Sequence, residues 1–574
     1  SCLPSRLSSV RSRSPAPKNL INSAEHLLTQ GLKMKLKWIN PSAMLEDVFH
    51  PEGGNVEIHI NTGYYTLKSY YKFKNPENFK KIKWQNPRFV PISNVESYAE
   101  QILQEGIDIL CLSFFVWNYP FLASLAKMIK HKNPNVIILA GGPTLNAHKD
   151  KVFFINNPDL DYVIYGDGEE PFADVLDHII DGNDLNTVNL VTPNKKYPFR
   201  IFSDKTFWNS SIILDTKEDI KNDVLGLANE GYNNRSIKFH WEIDRGCPYE
   251  CSFCDWSSGL HHKVKRRSKF WKEELDFIST LPVTIRPISA NYGIFAEDVE
   301  ISQYAAENHM DFRPLYLAKM NKDRAWAIQK IHSKYNPHYG VSVSVQDLNK
   351  NILGNIDRPE IDWEEHKKYI LDFRSEFPNH SMYFETMIGL PGQNVDTYKF
   401  MLKELESIKV GFVTGYMWIL LPNTPAYESE YQEKFQMSFK EIWNISEIEN
   451  DKIHKNITEE ELQKLYDSNY PRLFKSTMVQ STYSADWKEV LKMVMLVSLY
   501  NGIKAKDPNI ITADLFATQA FDEILETEAN WIMEQYNRTN AFSVWDDELN
   551  NWFMIDRYYQ KGHTVNRILN LLDK

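Results

Sequence analysis

The sequence predicts an α/β protein in three parts: a doubly wound parallel sheet, a partial (βα)6 barrel and a mainly α-helical C-terminal region. Short apolar runs alternate with helical stretches from Met34 to about residue 200, and the alternation resumes with a different rhythm from Ile237 to Leu421. Beyond about residue 430 the sequence is rich in charge and helical in period. With 574 residues, 43% of them hydrophobic, the chain has room for about three or four globular domains.

The first part, residues 34–200, has the pattern of an open, Rossmann-like domain. Phe121–His131 places apolar residues at helical spacing, with lysines on the other face. Ligands of such sheets bind at the carboxyl ends of the strands. The predicted buried strands are Leu36–Ile39, Ile107–Ser113, Val136–Ala140 and Tyr162–Tyr165.

The sequence before Met34 differs from the rest. Its first eighteen residues contain three Arg, one Lys and no acidic residue, which is typical of organelle transit peptides, but three prolines interrupt any amphipathic helix. We therefore expect residues 1–33 to be a disordered leader or a cloning remnant. Residues 201–236 are expected to be a linker.

Six consecutive strand–helix units predict a TIM-like barrel over residues 237–430, with its active site at the carboxyl ends of the strands. The helical region, residues 431–574, carries five tryptophans that we expect to pack in its core. The candidate barrel strands are Ile237–Ile243, Val283–Ile288, Phe312–Ala318, Val341–Val345, Met382–Ile388 and Val413–Leu420.

Charge and cysteine content exclude several classes of protein. The formal net charge of -11 argues against a broad nucleic-acid-binding face, and no uninterrupted run of 18 apolar residues is present to span a membrane. Five cysteines are too few for a disulfide scaffold, and three of them lie within eight residues. That clustering predicts a metal site in a reducing compartment, for which the cytoplasm is expected.

The clustered cysteines, Cys247, Cys251 and Cys254, follow the first predicted barrel strand directly. Three thiolates can each bind one iron of a cubane [4Fe–4S] cluster, which leaves the fourth iron open to a small molecule that binds through nitrogen and oxygen. Structural zinc is the alternative, with His261 or His262 as the fourth ligand. The spacing and the single cysteine arm favour the cluster.

This loop, with Phe253 before its last cysteine, resembles the radical S-adenosylmethionine (SAM) superfamily. The resemblance implies that Phe253 contacts SAM. The segment Gly340–Arg358 looks like the family's fourth-strand region, which implies that Ser344 and Gln346 meet the ribose and carboxylate of SAM.

Two further segments extend the resemblance and one departs from it. Met382–Gln393, with its GLPGQ sequence, is similar to the segment beside the adenine, and Glu385 within it could touch the SAM ribose or the substrate. Ile419–Glu428 resembles the closing strand. The family's Gly-Gly-Glu segment is not visible after the second strand, where the sequence is ISANYGIF, Ile288–Phe295. The contact to the amino group of SAM is therefore left open.

The first part of the chain resembles the cobalamin-binding domain that precedes many radical SAM barrels, over Ile107–Asn146 and Asp159–Phe172. The Asp-x-His-x-x-Gly motif of mutase-type domains is absent, so we expect cobalt without a histidine ligand from this domain. The resemblance implies that the strand-end turns hold cobalamin through Ser113, Trp117, Asn118, Gly141, Gly142, Gly166, Gly168 and Glu169.

Together these resemblances imply a cobalamin-dependent radical SAM enzyme, with a C-methyltransferase as the first interpretation. In the family scheme one SAM methylates cobalamin, a second SAM yields a 5'-deoxyadenosyl radical, and the substrate radical then takes the methyl group. A radical cyclase or rearrangement enzyme of the same architecture is one alternative, and a non-catalytic cofactor-binding or sensory protein is another. We expect a small-molecule or peptide substrate, a flavodoxin or ferredoxin as electron donor, no nucleic-acid partner and a monomer.

Overall fold

The computed structural model describes residues 32–39, 58–87, 95–115, 118–145, 157–232, 236–257, 264–266, 269–309, 311–314, 322–359, 362–421, 423–445, 453–467, 473–547, 551–558, 565, 566 and 569. The chain divides into two compact units. One comprises Ser1–Val48 and Gly63–Phe207, and the other comprises Phe49–Thr62 and Trp208–Lys574. No helix among the described residues is long and apolar enough to cross a membrane.

The strands are numbered in chain order. They are β1 (Met34–Ile39), β2 (Ile58–Asn61), β3 (Ile82–Trp84), β4 (Ile109–Ser113), β5 (Ile137–Gly141), β6 (Tyr162–Ile164), β7 (Leu190–Val191), β8 (Ile237–Glu242), β9 (Asp244–Arg245), β10 (Lys265–Arg266), β11 (Thr284–Ile288), β12 (Val341–Gln346), β13 (Met382–Ile388), β14 (Phe412–Met417), β15 (Ser438–Asn444), β16 (Phe474–Ser481), β17 (Ser543–Asp546) and β18 (Asn551–Met554).

The helices are numbered in the same way. They are α1 (Gly63–Lys74), α2 (Pro76–Lys80), α3 (Val95–Glu105), α4 (Tyr119–Lys132), α5 (Glu169–Asp181), α6 (Lys205–Trp208), α7 (Ile212–Asp215), α8 (Lys217–Asn229), α9 (Trp271–Ile278), α10 (Glu297–Asn308), α11 (Lys322–Tyr335), α12 (Lys350–Asn355), α13 (Trp363–Glu376), α14 (Val395–Ser407), α15 (Ser429–Lys434), α16 (Glu459–Asp467), α17 (Trp487–Lys506), α18 (Thr512–Phe516), α19 (Gln519–Thr539) and α20 (Ile555–Tyr558).

The first unit is built on one sheet in the order β3-β1-β4-β5-β6-β7, in which only the β6–β7 pair is antiparallel. Leu110 and Leu112 of β4 belong to a core with α3 and α4, whereas Cys111 between them points to the other face. Helices α1 and α5 contact each other, and Tyr71 of α1 donates to Asp177 of α5 at 2.9 Å. The predicted doubly wound sheet is therefore confirmed. Cys111 is buried, and burial raises the pKa of its thiol.

The second unit contains the predicted strand–helix repeat. Among the described residues, β8 pairs in parallel with β11. Strand β13 lies between β12 and β14 and pairs in parallel with both. Phe312 makes a single parallel bridge to Ile285. The rest of the predicted third strand extends into residues 315–318, outside the described residues. The parallel α/β architecture is thus confirmed, with α9, α10, α11, α13 and α14 connecting the strand positions.

One strand of this unit comes from far upstream in the chain. Strand β2 pairs in parallel with β8, with His59 opposite Lys238. The sequence pattern predicts the residues of β2 to lie in the domain of residues 34–200, whereas they belong to the second unit. The four-residue strand carries only two apolar side chains, Ile58 and Ile60, so its pattern could not reveal a partner about 180 residues away.

The segment after the barrel is mainly helical but also contributes strands. Helix α17 packs directly on β14 at Gly415, where a Cβ atom would lie 2.9 Å from Val497 Cγ1. Strands β15 and β16 form a separate antiparallel pair, and β16 contacts the segment that follows β14, where Val479 N donates to Trp418 O at 3.0 Å. Residues 201–236, predicted as a linker, contain helices α6, α7 and α8.

Candidate functional site

The three-cysteine loop begins where the first barrel strand ends. Cys247 and Cys251 are 5% and 3% exposed and Cys254 is partly buried. All three are free thiols. At the base of the loop, β9 and β10 pair antiparallel and join its two ends. The fold therefore places three thiols on one short closed loop at the carboxyl end of β8, where barrel active sites lie.

Ser252, fully buried between two of the cysteines, anchors this loop to the barrel. Its backbone N–H donates to Ile356 O at 3.1 Å, and its carbonyl accepts from Ala426 N at 3.0 Å. Its hydroxyl lies 2.9 Å from Tyr431 Oη, which donates to Asn355 O at 2.7 Å. The loop is thus attached to segments that follow β12 and β14, and these bonds fix the backbone between the thiols.

A buried ionic cluster supports the base of the loop. The Arg266 guanidinium contacts the fully buried carboxylate of Asp298 and lies 3.8 Å from Asp244. Asp298 also accepts from the backbone N–H groups of Gly293 and Phe295, at 2.8 and 3.0 Å. Burial raises the pKa of Asp244 to about 7, against the opposing effect of the Arg266 charge. The cluster therefore joins the loop to the turn after β11.

The donor set fits an iron–sulfur cluster. Thiolates are the usual ligands of such clusters, and a cubane requires each thiolate to bind a different iron. Within the described part of the chain, no group of three or more His, Cys, Asp and Glu side chains is arranged to hold a metal ion. His261 and His262, the candidate fourth zinc ligands, lie outside the described residues.

The predicted SAM contacts on β12 and β13 lie side by side. Ser344 is opposite Glu385 in the ladder, and its hydroxyl donates to the Glu385 carboxylate. The ladder shifts register between Ser344 and Gln346, and Gln346 adopts a left-handed backbone with φ of +60°. Gln346 Oε1 is buried without a hydrogen-bond partner among the described residues. A buried acceptor of this kind fits a ligand that brings its own donor.

The GLPGQ turn follows β13, and its Gln393 links the carboxyl ends of β12 and β13 through hydrogen bonds. Gln393 is fully buried, and its Nε2 donates to Asp347 Oδ2 at 2.6 Å and to Met387 O at 2.9 Å. Burial raises the pKa of Asp347 to about 6, although its hydrogen bonds from Asn349 N and Gln393 favour the charged form. Phe253 packs edge-on against Trp418, with ring centroids 6.2 Å apart. Its ring is thus positioned by the core behind the cysteine loop.

Asn291 is a site residue that the sequence analysis missed. It is 2% exposed, and its Nδ2 donates to Cys247 Sγ at 3.2 Å. It belongs to the ISANYGIF segment, directly after β11, the strand that neighbours β8. A polar residue at the carboxyl end of a neighbouring strand was the available signal, because parallel strands end at the same edge of a sheet.

A histidine pair on β2 and β8 was also missed. His59 Nδ1 lies 2.9 Å from His240 Nε2. The next residue, Trp241, donates to Glu274 of the outer helix α9 at 2.7 Å, so His240 points to the opposite, inner face of the sheet. Glu242 shares that inner face and bonds Arg245 at 2.7 Å.

In the first unit, the predicted cobalamin contacts lie at the carboxyl ends of β4, β5 and β6. Gly142 has φ of +107°, and a Cβ there would lie 2.3 Å from Phe114 O, so this glycine is required for the two strand ends to approach. Asn118 uses its amide within its own turn: Oδ1 accepts from Phe115 N at 2.7 Å and Nδ2 donates to Ser113 O at 3.0 Å.

The remaining predicted contacts divide between these turns. Ser113 is buried at the end of β4, Gly141 ends β5, Gly166 (φ +71°) follows β6, and Gly168 precedes the buried Glu169 at the start of α5. Trp117 lies outside the described residues. Turns rich in glycine expose backbone along this sheet edge, which fits the approach of a large flat ring.

Part of the first unit matches a known domain family. The B12 binding domain family model matches residues 88–176. The chain is 28% identical over 378 residues to the cobalamin-dependent radical SAM methyltransferase TokK of Streptomyces tokunonensis, covering 61% of this chain and 52% of the relative. It is 26% identical over 382 residues to the 2-(S-pantetheinyl)-carbapenam-3-carboxylate methyltransferase of Streptantibioticus cattleyicolor, covering 62% of this chain and 53% of the relative.

The chain thus spans about half the length of the curated relatives it matches. Among solved structures, the cobalamin-dependent S-adenosylmethionine radical enzyme OxsB with aqua-cobalamin bound matches with a TM-score of 0.53 at 14% identity. The match covers 89% of this chain and 76% of OxsB, which establishes a shared fold.

Proposed function

Since the chain carries a B12-binding domain and shares the fold of cobalamin-dependent radical SAM enzymes, we propose that it is a C-methyltransferase of that kind. The observation that carries the proposal is the closed three-cysteine loop at the carboxyl end of β8, in a chain whose first domain matches the B12-binding model. Both relatives with the longest matched stretches are named methyltransferases.

When bound, the [4Fe–4S] cluster, SAM and cobalamin together supply radical formation and a transferable methyl group. The chain's own residues hold and orient these groups. Cys247, Cys251 and Cys254 bind three irons, and Ser252 keeps their loop attached to the barrel. Gln346 Oε1 offers a buried acceptor to SAM.

The other proposed SAM contacts are the paired Ser344 and Glu385, and the ring of Phe253. Cobalamin is assigned to the strand-end turns of the first unit, above all the glycine backbone at Gly141 and Gly166. Because the sequence lacks the Asp-x-His-x-x-Gly motif, the chain supplies no histidine to cobalt from this domain in our proposal.

A small organic molecule is the proposed substrate class, since the named substrate of the second relative is a carbapenam carboxylate. Flavodoxin or ferredoxin is the proposed electron donor, a monomer the proposed state and the cytoplasm the proposed compartment.

A ring-forming activity is the second candidate, because a 164-residue stretch is 23% identical to the anaerobic magnesium-protoporphyrin IX monomethyl ester cyclase of Synechocystis, although it covers 26% of this chain.

The first experiment measures iron and cobalt in protein reconstituted without oxygen and then desalted. We expect about four irons and about one cobalt per chain. Cys251→Ala should lose iron and keep cobalt, and Cys111→Ala, a change of another buried free thiol, should keep both. One zinc and no iron would overturn the proposal.

With candidate substrates, S-adenosylhomocysteine and 5'-deoxyadenosine should form in step with a product heavier by one methylene unit. Product formation without S-adenosylhomocysteine would instead support the ring-forming alternative.

A further inference from the structure

The amide of Asn291 contacts Cys247, one of the three proposed cluster ligands. Its Nδ2 donates to Cys247 Sγ at 3.2 Å, and both residues are buried. A buried N–H···S bond retains its strength because water does not compete for the donor. Hydrogen bonds to the sulfurs are one of the factors that set the reduction potential of an iron–sulfur cluster.

The turn that carries Asn291 is held in place by hydrogen bonds that do not involve the Asn291 side chain. Asn291 N donates to Ser289 Oγ at 3.1 Å. The residues that follow are fixed by Asp298, which accepts from Gly293 N at 2.8 Å and from Phe295 N at 3.0 Å. The amide therefore reaches the sulfur from a backbone that does not depend on that contact.

The other end of the same amide has no partner. Asn291 Oδ1 is buried and makes no hydrogen bond to the described residues. Leaving a buried acceptor unpaired is unfavourable, so a ligand donor is the expected partner. An ammonium or amine nitrogen bound beside Cys247 would provide that donor.

We propose that the Asn291 side chain interacts with the cluster through its amide nitrogen and with SAM through its amide oxygen. This inference rests on the proposed function. Nδ2–H stabilises the more negative charge of the reduced cluster and so raises its midpoint potential. Oδ1 accepts from the amino group of SAM held beside Cys247. The redox couple is the one-electron reduction of the cluster from its 2+ to its 1+ state by an external donor, and no covalent bond changes in it.

Two variants separate the two ends. Asn291→Leu removes both donor and acceptor at similar volume and without charge. Asn291→Asp removes the donor but keeps an oxygen acceptor. The matched control is Tyr292→Phe, which deletes a buried hydrogen bond from the next residue, to Asp298 O, without touching sulfur.

The measurements are iron content, an anaerobic redox titration followed by electron paramagnetic resonance, and SAM binding by equilibrium dialysis. We expect about four irons in all four proteins and a more negative midpoint potential in both Asn291 variants. SAM should bind about tenfold more weakly to Asn291→Leu, while Asn291→Asp should stay near the wild-type affinity. Tyr292→Phe should change neither quantity.

An iron-loaded Asn291→Leu protein with an unchanged potential would overturn the inference and leave the proposed function standing. A wild-type protein that binds no iron would overturn the proposed function itself, and the inference with it. If Asn291→Leu does not fold, Asn291→Asp decides: an unchanged potential overturns the inference, because both its lost donor and its added charge should lower the potential.

Discussion

Ser252 and Tyr431 bring their hydroxyl oxygens to 2.9 Å and so attach the middle of the cysteine loop to helix α15, beyond the last barrel strand. Tyr431 in turn donates to Asn355 O at the end of α12. The position of the thiols is therefore set by parts of the barrel that lie far from the loop in sequence.

The first prediction tests this attachment. Tyr431→Phe removes both bonds and should accelerate the release of iron to a chelator, because the loop between Cys251 and Cys254 loses an anchor. The control is Tyr398→Phe, which deletes the hydroxyl of a fully buried tyrosine, 2.9 Å from Thr386 Oγ1. Both variants should lose about 1–2 kcal/mol in the free energy of unfolding. Equal rates of iron release in the two variants would contradict the proposed role of Tyr431.

The second prediction concerns Gln346, where folding and ligand binding should respond with opposite signs. Gln346→Met removes the buried unpaired Oε1 and should raise the free energy of unfolding of the ligand-free protein by about 1 kcal/mol. It should also weaken SAM binding about tenfold. Gln329→Met, at another buried unpaired Oε1 on helix α11, should give the same stabilisation with unchanged SAM affinity. Unchanged SAM affinity in Gln346→Met would remove this residue from the SAM site.

The third prediction uses two adjacent glycines of the first unit. Gly142→Ala should destabilise that unit by at least about 3 kcal/mol, since its Cβ would meet the Phe114 backbone and its φ is positive. Gly141→Ala should change stability by less than about 0.5 kcal/mol, because the nearest atom to its Cβ is 3.7 Å away. Urea unfolding followed by near-ultraviolet circular dichroism measures both.

Cobalamin binding to Gly141→Ala then tests the assigned contact, since its fold is preserved. A weaker affinity for hydroxocobalamin, measured by absorbance titration, supports a ring lying against this strand end. Wild-type affinity would place cobalamin elsewhere on the sheet edge.

The fourth prediction is a pH dependence from His332, which is buried between the rings of Phe312 and Tyr339. Burial lowers its pKa from 6.5 to about 3, so the folded protein keeps the imidazole neutral while the unfolded chain binds a proton. The stability from this residue is fully present above pH 6.5 and is lost as the pH falls towards 3. Between pH 7 and pH 5, protonation of His332 in the unfolded chain should lower the free energy of unfolding by about 2 kcal/mol.

The measurement compares urea unfolding at several pH values in wild type and His332→Phe. The variant keeps a ring between Phe312 and Tyr339 but cannot bind a proton, so its free energy of unfolding should fall less steeply below pH 6.5. Parallel pH profiles for the two proteins would show that His332 does not titrate on unfolding.

The sequence was sufficient for features that are local in the chain. The cysteine spacing, the GLPGQ turn and the strands flanking them are all encoded within short windows, and each lies where the pattern predicted. The contacts of Asn291 and the pairing of β2 with β8 were not accessible, since each joins residues far apart in sequence. Short helices such as α6 and α7 were taken for a linker because four residues are too few to show a helical period.

The pairing of β2 with β8 has a consequence for how the protein folds as it is synthesised. The first unit consists of Ser1–Val48 and Gly63–Phe207, so all of it has been translated before β8. Until then β2 has no partner, and the second unit closes only through a contact of very high sequence separation, which slows folding. A fragment starting at Trp208 would leave one side of β8 unpaired, an exposed edge prone to aggregation.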